Sequence, residues 1–207
     1  MLSDINIDYK VNDYSNSLLF NLNQESMENK TIKLNSGKII SIRKQLDKKI
    51  TEYWHIIRVE NVMSKKAIAA GQGSGLDLKA LYNTITQLQE CRIKIKGMLV
   101  CLNSGESSFD YDKFKKTNNY NIFAACEAKE AIAQLKMIHT LDPKIKAKKG
   151  LKNIGSVETF SSAKIAQLIK DLQLVANKYD AKLANFNNNT EIDITSYSDS
   201  VKEFLAI

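Results

Sequence analysis

One proline and eight glycines are all the strong chain breakers in these 207 residues. So few turn-formers exclude a sandwich or barrel with many tight turns and favour long helices. No apolar run approaches the length of a membrane span, about 18 residues, so no transmembrane segment is expected. The opening residues Met1-Leu2-Ser3-Asp4 have neither the basic nor the apolar region of a secretory leader, which predicts a cytoplasmic protein.

Chemistry-bearing residues are also scarce. The three cysteines, Cys91, Cys101 and Cys126, are odd in number and lack the paired spacing of a disulfide scaffold or a zinc site, so they read as reduced packing residues. His55 and His139 are the only histidines, too few for a typical zinc ligand set. The stretch Glu52-Tyr53-Trp54-His55 has the Glu-x-x-His spacing of a di-iron bundle, but no second copy accompanies it. A nucleophile would need a base oriented by a third group, and no such constellation is legible. Glu127 and Glu130 share a helix face in the way many helical surfaces do. No catalytic, cofactor or metal residue is assigned, and the expected class is non-enzymatic.

What remains is periodicity. Ile42, Leu46, Ile50, Tyr53, Ile57 and, more weakly, Asn61 recur at spacings of three and four and predict a helix from about Ser41 to Ala70. Gly71-Gln72-Gly73-Ser74-Gly75 then supplies a sharp reversal. The pentapeptide resembles a phosphate-cradling loop in composition alone, because it follows a helix and lacks the Gly-Lys-Ser/Thr ending. Leu78, Leu81, Ile85, Leu88, Ile95, Leu99 and Leu102 form a second, near-heptad stripe in which Arg92 takes an apolar position, with Ser74 or Asp77 as cap. The two segments predict an antiparallel helical hairpin of roughly 40 Å at about 1.5 Å per residue.

Residues 103–119 read as a loop anchored by Phe109, Tyr111 and Phe114. A third helix is expected from about Asn121, with Ala124, Ala128, Ala131, Leu135 and Ile138 on one face, ending at Asp142-Pro143. A fourth, capped by Ser161 or Ser162, carries Ile165, Leu168, Leu172, Ala176, Tyr179, Leu183 and Phe186. The expected fold is all-α: an antiparallel four-helix bundle or coiled-coil hairpin over residues 41–192. Residues 1–40 form an accessory arm in this reading. Ile5, Ile7, Tyr9 and Val11 alternate as in a strand, and Thr31 to Leu34, Asn35-Ser36-Gly37 and Lys38-Ile39-Ile40 suggest a small hairpin. Residues 193–207 form a tail with a short helix from Ser198 to Leu205.

Tyr179-Asp180-Ala181-Lys182-Leu183-Ala184-Asn185-Phe186-Asn187-Asn188-Asn189-Thr190-Glu191-Ile192 resembles a signature ending in the septicolysin-type family of small bacterial helical proteins. Asp180, Leu183, Asn187, Glu191 and Ile192 fit it, while Ala184 and Asn188 stand where that family has Gln and Trp. The order of elements from about 43 to 192 is also similar. The resemblance implies a helical fold and, through the family's name, a membrane-active cytolysin; it carries over no catalytic residue.

Amphipathic helices in excess of chemistry, with a strand-forming arm in need of a partner, predict an oligomeric assembly or scaffold protein that meets other copies of itself or another protein. The net charge of +7 is concentrated in one place. Lys144, Lys146, Lys148, Lys149 and Lys152 lie in a window free of acids, which suits sequence-independent binding to nucleic acid. The plainer reading of that window is a solvated connection between helices, since the aromatic interleaving of single-strand binders is absent. Changing Lys144, Lys146, Lys148 and Lys149 together to Gln should lower affinity for mixed DNA and RNA at low salt. Unchanged affinity, or no binding by the wild type, would rule nucleic acid out.

Overall fold

The computed structural model describes residues 33–141, 155–191 and 203–204. The chain divides into two units, Met1–Leu34 and Asn35–Ile207, and the second holds all the elements that follow. The strand expected from Ile5 to Val11 and the first half of that expected over Thr31 to Leu34 lie outside the described residues, as do Lys144, Lys146, Lys148, Lys149 and Lys152 and most of the C-terminal tail; Lys33 and Leu34 are described and belong to no strand.

Helix α1 spans Ser36–Glu60. It begins five residues before the expected start, so Lys38, Ile39 and Ile40 are helical and not the second strand of a hairpin. The reason is local: the Asn35 side chain accepts a hydrogen bond from the Lys38 N–H at 2.8 Å, capping the first turn, and Ile39 joins the buried stripe. That stripe is Ile39, Leu46, Ile50, Trp54 and Ile57, with Tyr53 only half-buried.

The helix also ends early. After Asn61 the chain forms strand β1, Val62–Ser64, and a short helix α2, Lys65–Ala69. Strand β1 pairs antiparallel with β2, Ser156–Glu158, in the register Val62 to Glu158 and Ser64 to Ser156. Reversal then occurs through Gly71, Gly73 and Gly75, all at positive φ (68°, 113° and 69°), where a Cβ would be strained.

Helix α3, Leu78–Asn103, is capped by Asp77 and buries Leu78, Leu81, Ile85, Leu88, Ile93 and Ile95. It runs antiparallel to α1, since Trp54 packs edge-on against Tyr82 while Asp47 reaches Arg92. The expected loop after it contains a single turn of helix, α4, Tyr111–Phe114. Phe114 lies on the α3 backbone at Gly97, where an added Cβ would come within 2.7 Å of the ring. Phe109, Tyr111, Tyr120, Phe123 and Tyr179 pack around that contact.

Helix α5, Asn118–Lys136, is capped by Thr117 and turns its alanines inward, with Ala124, Ala125, Ala128 and Ala131 all buried. Helix α6, Ser162–Asn189, is capped by Ser161 and packs along α5. The molecule is thus mostly helical with one small antiparallel ribbon. The α1–α3 pair and the α5–α6 pair are joined where α3 meets α5. Of the expected tail helix, Glu203 and Phe204 are described, both in helical backbone with Phe204 exposed.

The α3–α5 contact is ionic as well as apolar. Buried Arg92 donates from Nε to Glu127 Oε1 at 2.8 Å and from Nη2 to the other Glu127 oxygen, a bidentate pair. It also reaches Asp47 Oδ1 at 3.0 Å and Glu130 Oε2 at 2.7 Å. Lys96 Nζ donates to Glu127 Oε1 at 2.9 Å. Burial by itself would favour a neutral guanidine, but the hydrogen bonds and charges of Glu127, Asp47 and Glu130 outweigh it and raise the Arg92 pKa.

Because Arg92 and Glu127 are almost fully covered, removing one should cost far more than removing both. Arg92→Ala should lower stability by about 3 kcal/mol. Arg92→Met combined with Glu127→Leu should restore most of that loss in urea denaturation.

Candidate functional site

Among the described residues, the side-chain hydrogen bonds that span the most sequence converge at the break in the first helix. Asn61 is completely buried, and its side chain is saturated: Oδ1 accepts from the Phe160 N–H at 2.7 Å, and Nδ2 donates to the carbonyls of His139 at 2.7 Å and Phe160 at 3.0 Å. Its backbone carbonyl accepts from the Thr159 N–H at 3.0 Å. The end of α1, the exit from α5 and the entry to α6 are thereby fixed to one residue. An amide can do this because it carries donors and an acceptor on a short stem. In the sequence Asn61 reads only as a weak member of an apolar stripe.

The Asn61 junction shapes a cleft of about 410 Å³ lined by His55, Arg58, Val59, Val62, Met137 and His139. It brings together the only two histidines, which nothing in the sequence places near each other. Arg58 is held across it by Gln134, with Nη1 donating to Oε1 at 2.9 Å and lying 3.8 Å from Met137 Sδ. A second cleft of about 380 Å³ borders Tyr82, Phe160, Lys79 and Lys164. Burial, and then the charge of Asp171, raise the pKa of the Tyr82 phenol. The neighbouring Trp54 Nε1–H is buried and has no acceptor among the described residues.

The lysine window leaves and returns beside the same junction. The Leu141 N–H donates to Glu158 Oε2 at 2.8 Å, and the Gly155 carbonyl accepts from the Lys65 N–H. The two ends of the segment carrying Lys144, Lys146, Lys148, Lys149 and Lys152 are therefore tied to the β1–β2 ribbon and α2.

The structure does not assemble the cysteines. Cys91 and Cys101 are half-buried on α3 and Cys126 is exposed on α5. Burial raises the Cys91 and Cys101 thiol pKa values, with Glu106 adding to the second, so neither is poised as a thiolate. Among the described residues no group of three or more His, Cys, Asp or Glu side chains could hold a metal ion. Glu127 and Glu130, which share a helix face in the sequence, are brought together with Arg92 as an interhelical tie. Its visible signal was a basic residue at an apolar position of a near-heptad stripe.

No family model, curated protein or solved structure matches this chain.

Replacing Asn61 by Ala should remove three side-chain hydrogen bonds and leave a buried N–H and two carbonyls to compensate, costing about 3 kcal/mol in all. Asn61→Asp should keep the bond from the Phe160 N–H while losing both donated bonds. Amide exchange at Phe160 should accelerate strongly in the first variant and less in the second.

Proposed function

We propose that the protein is a non-enzymatic helical scaffold that self-associates, with α6 as its contact face. The observation that carries this is the thin burial of α6: in 28 residues only Ile165 and Ala176 are buried. Its stripe continues through Leu168, Leu172, Tyr179 and Leu183, all half-buried, and ends at exposed Phe186. Val175 and Leu174 beside it are 42% and 62% exposed. A helix with one side on α5 and apolar residues left open beside that contact has room for a further helix, as in bundle and coiled-coil assemblies. In this reading the four long helices form a bundle whose last seam is completed by another copy, at a cytoplasmic location.

A second reading, nucleic-acid binding, is supported by the anchoring of the lysine segment. Five lysines stand without an acid in a segment whose flanking residues Leu141 and Gly155 are bonded to Glu158 of β2 and to Lys65 of α2. The third, a membrane-active protein akin to the septicolysin-type family, rests on the amphipathic α6 and the resemblance at residues 179–192. Among the described residues no helix is long and apolar enough to cross a membrane.

Light scattering on the full chain at micromolar concentration tests the leading reading. An oligomeric mass is expected, and Val175→Glu with Phe186→Glu should shift it to the monomer while leaving the circular dichroism of the helices unchanged. A wild-type monomer would sink the proposal. Dye release from anionic vesicles would favour the membrane-active reading.

A further inference from the structure

The cleft between the end of α1 and the segment after α5 has the composition of a ligand site. Arg58 is half-buried there, and among the described residues it has no carboxylate partner; its polar neighbours are the neutral Gln134 and the Met137 sulfur. A guanidinium removed partly from water and left without a counter-charge is unfavourable, and the planar fork keeps further N–H donors for an anion. Among the described residues no acidic side chain lines the cleft, and His55 and His139 add two more donors from different segments.

The rest of the wall is apolar. Val59, 61% exposed, and Met137, 46% exposed, stand beside Val62 and leave surface for a non-polar group to cover. The volume falls within the range of small-molecule sites. Two cavity features thus point to one kind of ligand, an anion on an apolar body.

We propose that this cleft binds a small organic phosphate, with Arg58 and the two imidazoles on the phosphate oxygens and Val59, Val62 and Met137 against the organic part. Phosphate fits better than carboxylate because three donor groups on separate positions match three terminal oxygens, where a carboxylate offers two. None of its residues belongs to the α6 contact face.

The full-length protein at low salt is titrated with phenyl phosphate, inorganic phosphate and benzoate. Calorimetry and the Cε1–H resonances of His55 and His139 serve as readouts. Phenyl phosphate should saturate and move both histidine signals, inorganic phosphate should bind more weakly, and benzoate weakest. Arg58→Gln should weaken phenyl phosphate by about tenfold, equivalent to about 1.4 kcal/mol. His139→Gln, at an exposed position, should weaken it several-fold without altering the helical circular dichroism. Should Arg58→Gln fail to fold, His139→Gln decides. Absence of saturable shifts, benzoate binding as tight as phenyl phosphate, or undiminished binding in the folded variants would overturn the site. Equal affinity for inorganic and phenyl phosphate would remove the apolar half of the proposal.

Discussion

The arrangement of the helices depends on a buried positive charge. Arg92 sits on α3 at a position its neighbours would fill with leucine, and it is neutralised from two sides, by Asp47 on α1 and by Glu127 and Glu130 on α5. Apolar stripes can slide or rotate past one another with modest loss, because the hydrophobic effect has no direction. A bidentate guanidinium–carboxylate contact has one geometry. It fixes which residue of α5 faces which residue of α3, and Gly97 with Phe114 sets how close the neighbouring chain can come. Ionic pairing selects the register here, and burial of Ile93, Ala124 and their neighbours supplies the driving force.

Asn61 plays a corresponding part at the other end. Three segments far apart in the sequence are bonded to one amide side chain or its backbone. The cost is a helix interrupted where its apolar period would let it continue. The return is a corner with defined walls, and both clefts border residues that this corner positions. The candidate small-molecule surface therefore lies where the helical regularity is broken.

The parts legible from sequence are those governed by neighbours in the chain. The stripe Leu78, Leu81, Ile85 and Leu88 is buried as its spacing predicts, Asp77 and Ser161 cap the helices that follow them, and the glycine cluster turns the chain. The failures come from partners distant in sequence. Asn61 fits a helical stripe by position, so periodicity carries the first helix past its real end. Lys38-Ile39-Ile40 alternates well enough for a strand, but the Asn35 cap and the burial of Ile39 settle it as helix. Trp54, among the most buried side chains, lies next to the Tyr53 that the pattern favours, a one-residue rotation that only the facing helix can decide. The Arg58 cleft has no signal in the sequence, because its two histidines come from segments that meet only in the folded chain.

The bonds from Asn61 to His139 and Phe160 span 78 and 99 residues. The α1–α3 hairpin, by contrast, closes through a short glycine turn. Contacts that close long loops carry a larger entropy cost and are gained late, after local ones have shortened the path between their ends. The Asn61 corner is accordingly a seal on the finished fold. A chain that has formed its first hairpin but has not yet brought the ends of α5 and α6 home has helices and a partial core, yet neither cleft, so any ligand taken there reads out completed folding.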